Sequence, residues 1–205
     1  MFNHFEHTDK TLIMGRSGCG KSYLARRLQG IWPRRIIIDS LSEYDDHKNK
    51  FYDFNLISTE LINLKAQNAR KFTLVFQFNP ENEDANEVFN QLIRVGYYFG
   101  NLLIVIEEVQ NFSSPHYLPH WLKNALLTGR HKGLALMFTT QRPGELNKTI
   151  VSQCKHIFCG NLIDKNDINY VSGFLNEESI KLINLKDRQF IYRGPSGITQ
   201  ISNDF

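Results

Sequence analysis

The chain has 205 residues, 41% of them hydrophobic, 12% aromatic and 22% charged, with 24 basic against 21 acidic side chains for a net charge of +3. That length suits one domain with a full core, and the composition excludes disordered, collagen-like and coiled-coil chains. The slight positive charge does not by itself argue for a nucleic-acid partner.

The three cysteines, Cys19, Cys154 and Cys159, cannot all pair with one another, and Met1–Lys10 carries Glu6 and Asp9 with no apolar stretch. No secretory signal is expected, and a reducing, intracellular compartment is. Aliphatic runs such as Leu102–Ile106 are short, far below the roughly 20 apolar residues of a membrane span.

Taken in chain order, Thr11–Met14 predicts a strand that enters a Gly-rich turn, and Lys21–Leu28 a helix. Arg35–Ile38, closed by Asp39, and Phe72–Phe78 predict two further strands. The polar block Asn79–Asp84 reads as a turn leading into an amphipathic helix over Asp84–Tyr98, with Phe89, Leu92, Ile93 and Gly96 on one face. Leu102–Ile106 has the unbroken apolarity of a strand buried on both faces. Trp121–Leu127 predicts a helix, and Leu134–Thr140, Lys155–Cys159 and Gln189–Tyr192 predict strands. Ile198–Ile201 is expected to pair with the last of these as a hairpin, turning at Gly194–Gly197. Strands alternating with helices predict a single α/β domain over residues 1–205 with a mainly parallel central sheet.

Between the first strand and the first helix stands Gly15-Arg16-Ser17-Gly18-Cys19-Gly20-Lys21-Ser22, which fits G-x-x-x-x-G-K-[ST] at every fixed position. Its glycines let several N–H groups face one point, and the helix N-terminus adds positive potential there. Lys21 is placed to reach the β- and γ-phosphates, and the Ser22 hydroxyl to ligate Mg²⁺. Cys19 reads simply as a small loop residue.

Other candidates lie at strand ends, where open α/β sheets bind ligands. After Leu102–Ile106 come Glu107 and Glu108; one acid can hold the Mg²⁺ shell and the next can polarise a water for attack on the γ-phosphate. The Leu134–Thr140 strand ends in Gln141-Arg142-Pro143, and Gln141 can bond both that water and the γ-phosphate. Arg130, in Gly129-Arg130-His131-Lys132-Gly133, can stabilise charge on a transferring phosphoryl group, including one on a neighbouring subunit. Arg142 competes for that role.

These residues, with Ile36-Ile37-Ile38-Asp39 followed by Glu43-Tyr44, together resemble the FtsK–HerA superfamily of DNA-pumping ATPases over most of the chain. Thr140-Gln141-Arg142-Pro143 is the more specific part of the match. The resemblance implies a RecA-like (ASCE-type) P-loop NTPase core with ATP and Mg²⁺ as ligands. It also implies a homo-oligomeric ring, usually a hexamer, that moves DNA, expected to be double-stranded, through its centre. By position, Ser22 and Glu107 map to Mg²⁺ binding, Glu108 to the catalytic base, Gln141 to the sensor and Arg130 to the arginine finger. The family carries Asp then Glu where this chain has Glu107-Glu108. A chain of this length leaves no room for an amino-terminal β-barrel or a winged helix, which makes it most like viral genome-packaging ATPases. Capsid or vertex proteins are then further expected partners, and host cytoplasm or virion the expected location.

Between Val109 and Lys155 six basic side chains face one acid, Glu145, a local net of +5 that suits a DNA backbone. A solvated face is the competing reading. Phe112, Tyr117 and Trp121 are candidates for base stacking or a pore lining, against core or interface packing. Cys154, His156 and Cys159 resemble metal ligands but lack a fourth. Two other functions share the phosphate loop: a nucleotide-gated phage assembly protein and a small-molecule kinase. The acidic pair with Gln141 fits hydrolysis better than phosphate transfer to a small molecule.

Overall fold

A computed structural model describes residues 5–79 and 84–201. Its strands are β1 (Lys10–Met14), β2 (Arg34–Asp39), β3 (Lys50–Phe51), β4 (Phe72–Gln77), β5 (Leu103–Ile106), β6 (Ala135–Thr140), β7 (His156–Cys159), β8 (Phe190–Gly194) and β9 (Gly197–Ile201). The helices are α1 (Lys21–Leu28), α2 (Phe54–Ala66), α3 (Ala85–Phe99), α4 (His120–Thr128), α5 (Lys148–Gln153) and α6 (Lys165–Leu175).

All these strands join one sheet in the order β3-β4-β2-β5-β6-β1-β7-β8-β9. The sheet is parallel from β3 to β7 and ends in the antiparallel pairs β7–β8 and β8–β9. Strand residues alternate between two buried faces, as the two-residue side-chain period requires. Leu12, Ile36, Leu74, Ile104 and Leu136 share one cluster with the apolar residues of α2 to α6. Ile13, Ile37, Val75, Val105 and Met137 share the other with Leu24, Ala25 and Leu28 of α1. Because β1 is central and buried throughout, the loop that follows it emerges at the middle of the carboxyl edge. One strand, β6, separates β1 from the acid-bearing β5, which is the RecA-like, ASCE-type arrangement expected from the sequence.

The expected strands form with shifts of a residue or two at their ends, and Gly194 pairs with Gly197 across the hairpin turn. Much of the Asn79–Asp84 turn lies outside the described residues; Asp84 is the N-cap of α3. Three helices and one short strand go beyond the sequence reading: α2, α5, α6 and β3. Both longer ones start at an aspartate whose side chain accepts from the exposed N–H groups of the first turn, Asp53 for α2 and Asp164 for α6.

Candidate active site

The phosphate loop is held by its neighbours on both sides. Gly15 donates to the Thr140 carbonyl at the end of β6, and Arg16 to the Asn161 carbonyl beyond β7. A side chain at Gly15 would collide with the Cys19 sulfur at 2.7 Å, and its φ of +147° favours glycine. The side chain of Cys19, a member of the loop, is fully buried, and burial pushes its thiol pKa up, so it packs the loop and is not a reactive thiol. Lys21 is buried, with Nζ 3.3 Å from the Arg16 carbonyl and 3.9 Å from Glu108 Oε1.

Glu107 and Glu108 sit side by side in different surroundings. Thr139 Oγ1 donates to Glu107 Oε2, and the Tyr44 hydroxyl donates to Oε1 at 3.1 Å. Burial, only partly offset by the bond from Thr139, pushes the Glu107 carboxyl up to about 7. Thr139 in turn accepts from the Glu108 backbone N–H at 3.1 Å, and Gln29 donates to the Tyr44 hydroxyl at 3.2 Å. Around an ionised Glu107 the hydroxyls therefore form a directed chain that fixes both acids.

Glu108 adopts φ +48°, a left-handed conformation that a non-glycine residue reaches only under constraint. Its carboxylate gathers the other candidates. Gln141 donates to it twice, from its backbone N–H at 2.9 Å and from Nε2 at 3.0 Å. Gln110 Nε2 donates at 2.6 Å, while Gln110 Oε1 accepts from Thr140 Oγ1 at 2.7 Å. Thus Lys21, Glu108 and Gln141, from three elements, meet at one point. Tyr44, Gln110 and Thr139 were absent from the sequence candidates as supporting residues. Only the acidic pair and the family-like Glu43-Tyr44 pointed near them.

Arg130 is not part of this cluster. It lies in the 3-10 turn Gly129–Lys132, just before β6 and exposed. Leu136 pairs with Lys10 at the amino end of β1. Burial pushes the Lys10 ammonium down, and the Arg130 charge adds to this against a partial offset from Cys154. The phosphate loop leaves the opposite end of β1, about 3.3 Å per residue away over five residues. Arg130 therefore cannot touch the loop of its own chain. Arg142 is exposed at the loop's own edge, its N–H bonded to Thr140 Oγ1 at 3.0 Å.

Other candidates resolve differently. Phe112 is buried and stacks on Phe89 at 4.0 Å, so it packs the core and cannot stack on bases. Trp121 lies against Tyr97 and Tyr98, and Tyr117 is half exposed. His156 is fully buried between Asp9 and Tyr192, each bonded to one ring nitrogen, so it has none left for a metal. Lys155 pairs with Glu6 and Asp9, which lowers the effective charge of the basic stretch. No grouping of three or more metal-ligating residues occurs among the described residues. A phosphate-bound Mg²⁺ needs none, because substrate oxygens and water complete its shell. No helix among the described residues is long and apolar enough to cross a membrane.

The strand order, the glycine-rich loop after the central strand and the acid-bearing strand two places away define a P-loop NTPase fold. No family model matches the chain. It is 25% identical to the probable helicase MJ1565 of Methanocaldococcus jannaschii, over 78% of this chain but 38% of the helicase, so it spans well under half of that relative. It is 28% identical to protein P9 of Pseudoalteromonas phage PM2, over 77% of this chain and 73% of P9. Among solved structures, the genome packaging NTPase B204 of Sulfolobus turreted icosahedral virus 2, in complex with ATP-gammaS, superposes with a TM-score of 0.78 and 21% identity, covering 98% of this chain and 100% of B204. The cytoplasmic domain of the Thermomonospora curvata type VII secretion ATPase EccC gives a TM-score of 0.57 at 20% identity, over 97% of this chain and 24% of that one. The chain is therefore similar to P-loop ATPases of the FtsK–HerA type, and among them to viral genome-packaging NTPases.

Proposed function

We propose that the chain is an ATPase that moves DNA, packing a viral genome into a preformed capsid. The observation that carries the catalytic part is the convergence of Lys21 and Gln141 on the Glu108 carboxylate, with Gln141 Nε2 at 3.0 Å and Lys21 Nζ at 3.9 Å from the same oxygen. In the proposed cycle Lys21 leaves the Arg16 carbonyl for the β- and γ-phosphates of ATP. Glu108 takes a proton from the attacking water as the bond from γ-phosphorus to the bridging oxygen breaks, releasing ADP and phosphate. Gln141, already bonded to Glu108, reports whether a γ-phosphate is present. The Ser22 hydroxyl and the Glu107 carboxylate supply hard oxygen donors that suit Mg²⁺. Glu107, tied to Thr139 and Tyr44, fits an outer position better than a direct one. When bound, Mg²⁺ neutralises charge on the phosphate oxygens.

The arginine finger, whether Arg130 or Arg142, comes from a neighbouring subunit or from the loop's own edge, respectively. For Arg130 the placement supports action in a ring, because its own phosphate loop is out of reach. Lys123 on α4 and Lys148 on α5 are exposed and suit a DNA backbone. The likeness to B204, a genome packaging NTPase, supports a packaging role for residues 1–205 as one ATPase domain. A hexameric ring, the host cytoplasm or virion as location, and capsid or vertex proteins as partners complete the proposal on the family resemblance of the sequence. ATPase turnover without DNA, with single-stranded DNA and with double-stranded DNA tests the reading, together with the mass of the assembled particle. The expected outcome is severalfold stimulation by double-stranded DNA and a ring-sized mass. A monomer with turnover indifferent to DNA refutes translocation.

A further inference from the structure

The segment before β8 folds back onto the phosphate loop on the side away from Glu108. In the sheet, β5 and β6, which carry Glu108 and Gln141, lie on one flank of β1, and β7 and β8 lie on the other. Asn161, whose carbonyl accepts from the loop's Arg16, uses its side-chain amide to bond the carbonyls of Leu182, Ile183 and Leu185, each at 3.0 Å. Three residues later Arg188 donates its backbone N–H to the Cys19 carbonyl at 2.9 Å. Arg188 holds a left-handed φ of +62°, and its Cα would lie 3.3 Å from any side-chain carbon placed on Gly20. Gly20, itself at φ +97°, is thus required twice: by the turn of the phosphate loop and by the close approach of Arg188.

From this anchored position the Arg188 guanidinium lies over the Tyr23 ring, 4.4 Å from its centroid. Tyr23 is the third residue of α1 and is 36% exposed. Arg27 donates to its hydroxyl at 3.2 Å from the next turn. Lys21, the residue that takes the β- and γ-phosphates, stands beside Glu108, so the γ-phosphate points toward β5 and β6. The α-phosphate and everything attached to it must leave the loop toward the first turn of α1 and the β7–β8 flank. On that flank stand an exposed aromatic ring and a guanidinium already in stacking geometry, both fixed to the loop itself.

We propose that Tyr23 and Arg188 form the base subsite of the nucleotide pocket and hold a purine by stacking and cation–π contact. This rests on the nucleotide-binding reading of the phosphate loop. Stacking acts on the base and leaves the phosphates to the loop, so affinity for the nucleotide and affinity for its triphosphate part separate.

The test compares the binding of ATP with that of inorganic tripolyphosphate, in the presence of Mg²⁺, for the full chain and for Tyr23→Ala, Tyr23→Phe and Arg188→Gly. Glycine at 188 keeps the left-handed backbone without strain, and thermal unfolding checks that each variant is folded. Tyr23→Ala and Arg188→Gly are expected to weaken ATP about tenfold and to leave tripolyphosphate within about twofold. Tyr23→Phe keeps ATP affinity, because the ring carries the contact. The parent chain prefers ATP and GTP over CTP and UTP, and Tyr23→Ala removes that preference. Equal losses for ATP and tripolyphosphate, or no loss for either, overturn the subsite. A parent chain that binds neither ligand refutes the nucleotide-binding reading itself, and the subsite with it.

Discussion

Thr139→Val tests the hydroxyl chain behind the two acids. The substitution keeps the branched shape of a fully buried strand residue and removes one hydroxyl, which donates to Glu107 Oε2 and accepts from the Glu108 N–H. Both partners lie in the interior, Glu107 at 1% and Glu108 at 3% exposure, so water does not readily replace the lost bonds. Leaving one buried group unsatisfied costs about 1–3 kcal/mol, and two are affected, which puts the loss near 2–6 kcal/mol. The Glu108 N–H bond also holds a residue in the left-handed region, so the carboxylate aimed at Gln141 should drift and ATP turnover should fall by about tenfold or more. Urea unfolding followed by far-UV circular dichroism, alongside steady-state ATPase measurement, reads both effects. Thr139→Ser retains the hydroxyl and should recover most of the turnover. A Thr139→Val protein within about 0.5 kcal/mol of the parent and fully active would refute this account of the acid pair.

Glu108→Gln should lower ATP turnover by about 10²–10⁴ while ATP affinity changes only a few fold, as measured by steady-state kinetics and direct nucleotide binding. Gln110→Ala, which removes the brace between Glu108 and Thr140, should lower kcat with little change in KM, and Gln110→Glu should not restore it because it brings a second negative charge beside the first. The pH dependence of unfolding carries two opposed contributions: Glu107, pushed up to about 7 by burial, takes its proton first in the native state and adds stability as pH drops toward its ordinary 4.5, whereas His156 takes stability away below about 6.5. Burial pushes His156 below its ordinary value despite the Asp9 bond, so the native state binds fewer protons than the unfolded chain there. For Asp9, burial is outweighed by bonds from Glu6, His156 and Lys155, which hold it below its ordinary 3.8. That adds a further loss at lower pH, and His156→Gln should remove the His156 contribution, so that in urea titrations the unfolding free energy at pH 5.5 relative to pH 8 is higher for the variant than for the parent. Arg130→Ala subunits mixed with parent subunits should depress turnover more than in proportion to their fraction, whereas strict proportionality would exclude a finger acting between subunits.

What could be read from the sequence follows the range of the forces involved. The parallel strands announce themselves because each is a short apolar run buried on both faces, and the phosphate loop because its glycines, lysine and serine must be contiguous. The helix α2 was legible in principle: Phe54, Ile57, Leu61 and Leu64 are spaced for one face, all four of them in or against the core, and Asp53 caps the start. The cap of α6 shares its residues with another local pattern. Asp164-Lys165-Asn166-Asp167 looks like a scrambled guanine-reading motif, but the Asp164 side chain accepts from Asn166 and Asp167 N–H groups and serves the helix.

The supporting residues of the site follow another rule. Tyr44 meets Glu107 across 63 positions, Thr139 meets Glu107 across 32, and Gln110 meets Thr140 across 30. No local spacing encodes such pairs; they exist only once β2, β5 and β6 are adjacent in the sheet. The same holds for Arg188, whose approach to Cys19 and Gly20 depends on β7 and β8 flanking β1. Arg130 shows the converse. Its motif marked it as a catalytic candidate, yet the register of β1 against β6 carries it to the end of the sheet opposite the phosphate loop. A finger at that position has chemistry to do only if another copy of the chain presents its own nucleotide there. The case for Arg130 is therefore tied to the case for the ring, and the mixed-subunit experiment bears on both at once.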